Sequence, residues 1–515
     1  MNSISFANYK AFDSGQITLK PLTILLGANS SGKSSILQLF LMLEQTINSE
    51  DNERFLKLNG HYVNLGEDEN IFKDKNPNKI LEVSFNLNFK EFVDGFYESF
   101  LDLLQRIDFN SYLLSLDIHN ELSATIRELI RKDADEFSKY FNSTVLKVHE
   151  LLIGNQDRIK GNWNDDMEIM YSSFLLFSEV KAIIQNPKYN TLRVKYDFRL
   201  DKEKILRVYN HSIYLGDKVL LRFSIDKKPS FGSELFQFNN FNDLVHKLEN
   251  FDFSYDGIRL KSFRKGILRD IFSQMFNLTY NQIAAFFSSS QFNYIGPLRA
   301  NPQRYYFLDG SDGYNLKSGE GIANVLKKYP ELKWKVNKWL TSFGISIDVS
   351  VFKDIIHNIK VYQNNIRLDL TDVGFGISQI LPILIQGFLS STDSTTIIEQ
   401  PEIHLHPKMQ ADLADLFIDI IDHSRDENSI IKKKFIIETH SVYMLKRLRR
   451  RIAEGVIKSS DVGLYFVESR SQEKDSAELR AIDIDADGSI EWPKDFYSTE
   501  FEDDMAFLSC KAKMK

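Results

Sequence analysis

One cysteine, Cys510, stands among 515 residues. No disulfide framework is open to such a chain, and the composition suits a reducing cytoplasm. Long apolar runs are missing too. The longest, near residues 377–389, is too short to span a bilayer and is interrupted by Ser378, Gln379 and Gln386. The chain is therefore expected to have no membrane segment. At Met1-Asn2-Ser3-Ile4 no basic stretch leads into an apolar one, so no signal peptide is evident. There is no excess of positive charge either. A net charge of −7 argues against coating nucleic acid through bulk charge, although it leaves room for a local basic groove. No internal repeat or low-complexity linker divides the chain. Hydrophobic residues make up 43% and charged residues 26%, ordinary values for a globular protein, and the length suits about two to four domains.

The chemistry begins at Gly27-Ala28-Asn29-Ser30-Ser31-Gly32-Lys33-Ser34-Ser35, a complete G-x-x-x-x-G-K-S phosphate-binding loop. An apolar stretch, residues 22–26, precedes it as a strand. A helical pattern (Ile36, Leu37, Leu39, Phe40, Leu43) follows it. The glycines let the backbone curl so that its N–H groups face the phosphates, Lys33 bridges them, and the Ser34 hydroxyl reaches Mg²⁺. The loop reads as a site for ATP or GTP.

Around it the first ninety residues alternate between strand and turn, with strands at 4–6, 16–19, 22–26 and 81–88. From about 91 to 185 the pattern turns helical. Phe92, Phe96, Phe100, Leu103 and Leu104 mark one stripe, and Leu146, Val148, Leu151 and Leu152 another. The span is neither heptad-regular nor long enough for an SMC coiled-coil arm. Strands return at 191–200, 205–209 and 219–225, and a helical pattern resumes over 241–287 until Tyr294-Ile295-Gly296-Pro297-Leu298-Arg299 breaks it. From 332 onward strands and helices alternate as an α/β fold requires. The expected organisation is an N-terminal head lobe at 1–90, a helical insertion with a small β-meander at 91–290, and a C-terminal head lobe at 291–515.

The other half of a nucleotide site must come from distant segments. Thr395-Thr396-Ile397-Ile398-Glu399 is an apolar strand ending in an acid, which is how a Mg²⁺-holding carboxylate is presented beside a phosphate loop. It continues as Gln400-Pro401-Glu402-Ile403-His404-Leu405-His406-Pro407. A second strand, Phe435-Ile436-Ile437, runs into Glu438-Thr439-His440-Ser441, where a polar residue can reach a γ-phosphate. Thr371-Asp372-Val373-Gly374-Phe375-Gly376-Ile377-Ser378-Gln379 joins glycines and a serine to a helix beginning near Ile377, an anion-binding helix start.

Phosphate loop, large insertion, Gly-rich signature, Glu-Gln-Pro-Glu strand end and Thr-His-Ser strand end, in that order, resemble an ABC-type ATPase head. The likeness is to the RecF/SMC-like branch that includes the OLD-family ATPases. The opening segment with Asn8-Tyr9-Lys10-Ala11-Phe12 is similar to that branch's first strand and turn. Residues 295–299 and 399–407 resemble stand-alone ATPases of bacterial anti-phage defence operons. The resemblance covers 1–90 and about 290–500. It implies an α/β fold, a P-loop NTPase head with a mixed sheet carrying the helical and β insertion, and the cofactors ATP and Mg²⁺. In its terms Asn29, Ser30, Ser31, Gly32, Lys33, Ser34 and Ser35 hold ATP, and Ser34 and Glu399 hold Mg²⁺. Residues 403–406 form a loop across a dimer interface, and His440 senses the γ-phosphate. Gly374, Phe375, Gly376 and Ser378 contact the nucleotide of a second subunit, making ATP binding a dimerisation switch. Gln400 falls where many ABC ATPases carry the catalytic glutamate. A neutral amide orients water but cannot accept its proton, so hydrolysis is expected to be slow or Glu402 serves as base. No counterpart of the glutamine loop that completes the Mg²⁺ shell is legible.

Several features keep two readings. His404 and His406 with Glu402 are a polar interface loop or a zinc site. Arg447, Arg449, Arg450 and Arg451 beside Lys446 are a solvated helix face or a contact for a partner or DNA. Arg299 and Arg304 are phosphate-facing or regulatory, or part of a turn held by an ion pair. The acids Asp483, Asp485 and Asp487 fit a β-hairpin with an Asp-Gly turn better than a calcium loop, whose twelfth position would be Lys494. Glu468 lies too close to them for a full TOPRIM nuclease domain. The expected function is an ATP-driven switch that forms homo-oligomers through ATP-sandwich dimers and regulates a separately encoded effector, such as a nuclease, in anti-phage defence. A RecF/SMC-type ATPase acting directly on duplex DNA is the alternative. A transporter subunit fits poorly, because residues 374–379 lack the Leu-Ser-Gly-Gly-Gln order.

Overall fold

A computed structural model describes residues 1–49, 55–106, 179–225, 229–236, 253–256, 259–262, 267–299, 301–307, 321–352, 356–364, 366–423, 433–471 and 474–492, with 507 and 510. The second helical stripe read from the sequence, Leu146 to Leu152, lies outside them, as do the side chains of Phe100, Leu103 and Leu104. The chain forms two compact units. One comprises residues 1–8 and 45–285, the other 9–44 and 286–515. Residues 45–90, read from the sequence as part of the head's first lobe, group with the segment that follows them.

The first unit is built on an antiparallel sheet. Strands β1 (Ser3–Tyr9), β4 (Leu81–Leu87), β5 (Leu192–Leu200), β6 (Leu206–Leu215), β7 (Lys218–Ile225) and β8 (Pro229–Gly232) follow one another in that spatial order. β4 shows why the strands form. Leu81, Val83, Phe85 and Leu87 are buried and alternate with half-exposed neighbours, the period-two pattern of a sheet with one covered face. Helix α2 (Phe89–Arg106) buries Phe92 and Phe96, as the sequence stripe required. The stretch 241–287, read as helical, is helical only from α3 (Ile267–Phe286) among its described residues. Before α3 comes a hairpin of β9 (Phe253–Asp256) and β10 (Arg259–Ser262). On β6, His211 is fully buried, its ring 4.1 Å from that of Tyr196 and 4.5 Å from that of Phe276 on α3. Burial pushes its pKa down to about 3.

The second unit holds a mixed six-stranded sheet in the order β11 (Phe292–Ile295), β16 (Thr395–Glu399), β17 (Lys434–Glu438), β3 (Leu22–Gly27), β18 (Val462–Glu468), β19 (Glu478–Ile482). All neighbours are parallel except β18 and β19. β3 is paired on both sides, and all six of its residues are buried, the continuous apolar run of a central parallel strand. Strand β2 (Phe12–Thr18) is tied to this unit by Tyr465, whose hydroxyl accepts from the Thr18 N–H at 2.7 Å. A smaller antiparallel sheet pairs β14 (Ile356–Gln363) with β12 (Tyr306–Phe307), β13 (Ile345–Phe352) and β15 (Ile366–Asp369). The helices are α1 (Lys33–Ile47), α4 (Ile322–Lys328), α5 (Pro330–Thr341), α6 (Phe375–Leu389), α7 (Pro407–His423) and α8 (Val442–Ala453). Ile380, Leu381, Ile383, Leu384 and Ile385 of α6 are all fully buried, so the longest apolar run of the sequence is core helix. Among the described residues no helix is long and apolar enough to cross a membrane.

Candidate nucleotide site

The phosphate loop leaves β3 at Gly27 and enters α1 at Lys33. Two glycines are obligatory. Gly27 has φ +146° and a Cβ there would lie 2.4 Å from the Val467 carbonyl oxygen; Gly32 has φ +114° and a Cβ there would meet the Phe12 ring at 2.8 Å. Lys33 is buried, and its ammonium donates to the Gly27 and Ala28 carbonyls at 3.0 and 2.7 Å. Burial lowers its pKa, against the opposing pull of Glu438 and Glu402. The Ser35 and Ile36 N–H groups turn back to the Gly32 carbonyl at 3.0 and 3.3 Å, closing the first turn of the helix.

Strands β16 and β17 end together, with Glu399 opposite Glu438 in register. Because β17 lies between β16 and β3, it is Glu438 that meets the loop. Ser34 Oγ donates to its Oε2 at 3.2 Å, and Lys33 Nζ is 4.0 Å from its Oε1. Burial raises the Glu438 pKa to about 7, with the Glu399 charge adding to the rise and Lys33 and Ser34 opposing it. Glu399 is held differently. Its Oε1 accepts from the Tyr294 hydroxyl at 2.8 Å, and burial raises its pKa. Arg299, itself buried, donates from Nη2 to the Glu399 and Gln400 carbonyls at 2.8 and 3.3 Å. It thereby braces Gln400, whose φ is +44°. Glu402 Oε1 accepts the His440 backbone N–H at 2.7 Å, and burial raises this carboxyl too. Burial and Lys33 lower the His440 pKa.

Lys33, Ser34, Glu399, Glu402, Glu438 and His440 are thus gathered around the ends of three adjacent strands. The Gly374–Ser378 segment is placed against the loop after β16. A Cβ on Gly376 would lie 2.7 Å from the His404 carbonyl oxygen, so glycine is what lets the start of α6 approach it. Ser441 completes the arrangement. Its Oγ caps α8 by accepting from the Met444 N–H at 3.2 Å and donates to Gln410 Oε1 at 2.8 Å, while Gln410 Nε2 donates to the Leu405 carbonyl at 3.0 Å.

Glu438 and Tyr294 take places to which the sequence assigned no role, and Arg299, read as phosphate-facing or regulatory or as part of an ion-paired turn, donates to two backbone carbonyls. Glu438 was quoted in its motif; the signal that could have found it is that two equal five-residue apolar strands both end in Glu. Arg304 pairs with Asp372 at 2.8 Å and Asp369 at 3.7 Å, which answers that ambiguity in favour of a turn held by ion pairs. The arginine run is largely engaged within the chain. Arg447 pairs with Asp412 and Asp415 of α7, Arg451 with Asp415 and Glu454, and Arg450 with Glu454, while Arg449 Nε donates to the Gly488 carbonyl at 2.8 Å. Gly488 has φ +77° in the turn between Ile484 and Ile490, which form a single antiparallel bridge. Glu468 is ion-paired to Lys474 at 2.8 Å. Among the described residues no group of three or more His, Cys, Asp or Glu is arranged to hold a metal by itself.

A curled backbone with a lysine and a serine at the start of a helix, backed by a carboxylate, is chemistry for the phosphates of a nucleotide with Mg²⁺. The fit shows in the loop itself. Ser31 Oγ is buried with no hydrogen-bond partner among the described residues, and side chains are excluded at Gly27 and Gly32. The family model described as AAA ATPase domain matches residues 1–445. The chain belongs to this family and is an ATPase. Among solved structures it is similar to the SMC head domain from Thermotoga maritima, at 8% identity with a TM-score of 0.34, over 94% of this chain and 99% of that one. It is also similar to the Smc head domain with an extended coiled coil bound to the C-terminal domain of ScpA, derived from Pyrococcus furiosus. There the identity is 10% and the TM-score 0.33, over 94% of this chain and 96% of that one. No curated protein matches.

Proposed function

We propose that this ATPase binds ATP with Mg²⁺ at residues 27–35, pairs head to head with a second copy around the nucleotide, and uses the nucleotide state to hold or release a separately encoded effector. The observation that carries the reading is the union of the phosphate loop with buried Glu438 at the end of β17 and half-buried Glu399 and Glu402 at and just after the end of β16. Lys33 would exchange its loop carbonyls for phosphate oxygens. Ser34 with the Glu399–Glu438 pair would hold Mg²⁺, which when bound neutralises phosphate charge. His440 would face the γ-phosphate. Glu402, fixed by the His440 N–H, is the candidate base, with Gln400 orienting water. Gly374, Phe375, Gly376 and Ser378 would address the nucleotide of the second copy. A cytoplasmic role in bacterial anti-phage defence, with a nuclease among the candidate effectors, rests on the resemblance of residues 295–299 and 399–407 alone.

Direct action on duplex DNA is the second reading, and the arginine helix is its only specific support. Its arginines already engage acidic partners or backbone, which weakens it. Steady-state ATP turnover with and without duplex DNA, with Lys33→Ala as the blank, separates the two. Slow turnover indifferent to DNA supports the switch. Turnover that rises strongly with DNA, and loses that response on charge reversal at Arg449 and Arg450, overturns it in favour of the second.

A further inference from the structure

Three carboxyls meet at the strand ends, and each is held in a different way. Glu399 takes a hydrogen bond from Tyr294, and Glu402 takes the backbone N–H of His440. Glu438 alone of the three bonds to the phosphate loop, through the Ser34 hydroxyl, with the Lys33 ammonium 4.0 Å away. These are the two side chains that such a loop turns towards phosphate and Mg²⁺. Glu438 is also buried, at 4% exposure, so water screens it little. We propose that Glu438, more than Glu399 at the end of the acid-ended strand, is the carboxylate that makes ATP binding depend on Mg²⁺. Without the cation, a triphosphate reaching for Lys33 and Ser34 meets a carboxylate already engaged with both, and the like charges oppose each other at low dielectric. With the cation, the same carboxylate becomes an attractive partner on the Ser34 side. Glu438 thus filters for the magnesium complex of the nucleotide.

The position explains why the acid sits on β17. That strand is the immediate neighbour of β3, with Glu438 paired in register to Leu25 and the Thr439 N–H donating to the Leu25 carbonyl at 3.1 Å. Glu399 is one strand further from the loop. This assignment rests on the nucleotide-site reading above, and the controls separate the two.

The test is the affinity of the full chain for a fluorescent ATP analogue, measured once in Mg²⁺ and once in EDTA. The wild type is expected to bind much more weakly in EDTA. In Glu438→Gln, which keeps an acceptor for Ser34 without the charge, the ratio of the two affinities should shrink about tenfold or more, chiefly by tighter binding in EDTA. Glu438→Ala should shrink it likewise, so a failure of either variant to fold leaves the other to decide. Glu399→Gln, one strand further from the loop, should shrink it by less. A wild-type ratio in both Glu438 variants, or a ratio shrunk more by Glu399→Gln than by Glu438→Gln, overturns the assignment while leaving the nucleotide site intact. No ATP binding by the wild type, or equal binding by Lys33→Ala, overturns the nucleotide site and the assignment with it.

Discussion

Gln400 adopts the left-handed backbone region, at φ +44°, with its N–H on the Glu438 carbonyl at 2.8 Å and its own carbonyl on Arg299. Its neutrality has a physical setting. Glu399, Glu402 and Glu438 are all raised by burial, and a fourth carboxylate would add like charge to the cluster. On the function proposed above, the consequence is an amide where water must be deprotonated. Gln400→Glu should therefore raise ATP turnover, by about tenfold or more given the usual worth of a general base. Unchanged turnover with ATP binding intact would place the base elsewhere, with Glu402 the first suspect. The residue scale is also where sequence reading was weakest. Glu399, Glu402 and His440 stand out by their place at strand ends, yet the contact between Ser34 and Glu438 spans 404 positions. It exists only because β17 is inserted beside β3, which no local pattern encodes.

Among the elements, the start of α6 rests on the His404 carbonyl with no room for a side chain. Gly376→Val should destabilise the chain by about 1–3 kcal/mol, as overpacking does. It should also depress turnover, while affinity for ATP at residues 27–35 is retained; lost affinity would mean that the helix start shapes the loop of its own chain. On β6, His211 supplies a pH test. Its pKa falls from the ordinary 6.5 to about 3 in the fold. Between those values the unfolded chain binds a proton that the folded chain refuses, so stability falls as pH drops through that window and is undiminished by this group above it. At pH 5 the loss is about 2 kcal/mol. Denaturant midpoints at pH 7.5 and 5.0 should therefore diverge more in the wild type than in His211→Phe. Equal divergence would mean that the imidazole takes up its proton in the fold.

The same scale shows why some elements were legible. β4 and β16 carry their patterns in consecutive residues, and the loop-to-helix entry at Lys33 is written in its motif. The β9–β10 hairpin has strands of only four residues, too short for a period of two to outweigh the helical pattern around it. The arginine run on α8 looked free because its counterions, Asp412 and Asp415, lie on α7, some 35 residues away along the chain.

At the scale of the molecule, the family and the site agree on an ATPase, and its use as a switch turns on whether nucleotide assembles copies of the chain. The Gly374–Ser378 segment and the 403–406 loop are built against each other, as two parts of one contact surface would be. Mass measured by light scattering, in the absence of nucleotide and with ATP and Mg²⁺, tests this most directly. The account predicts that ATP with Mg²⁺ shifts the wild type to an assembly of at least twice the mass and leaves Lys33→Ala unchanged. A wild-type mass indifferent to ATP, or an identical shift in Lys33→Ala, would contradict it.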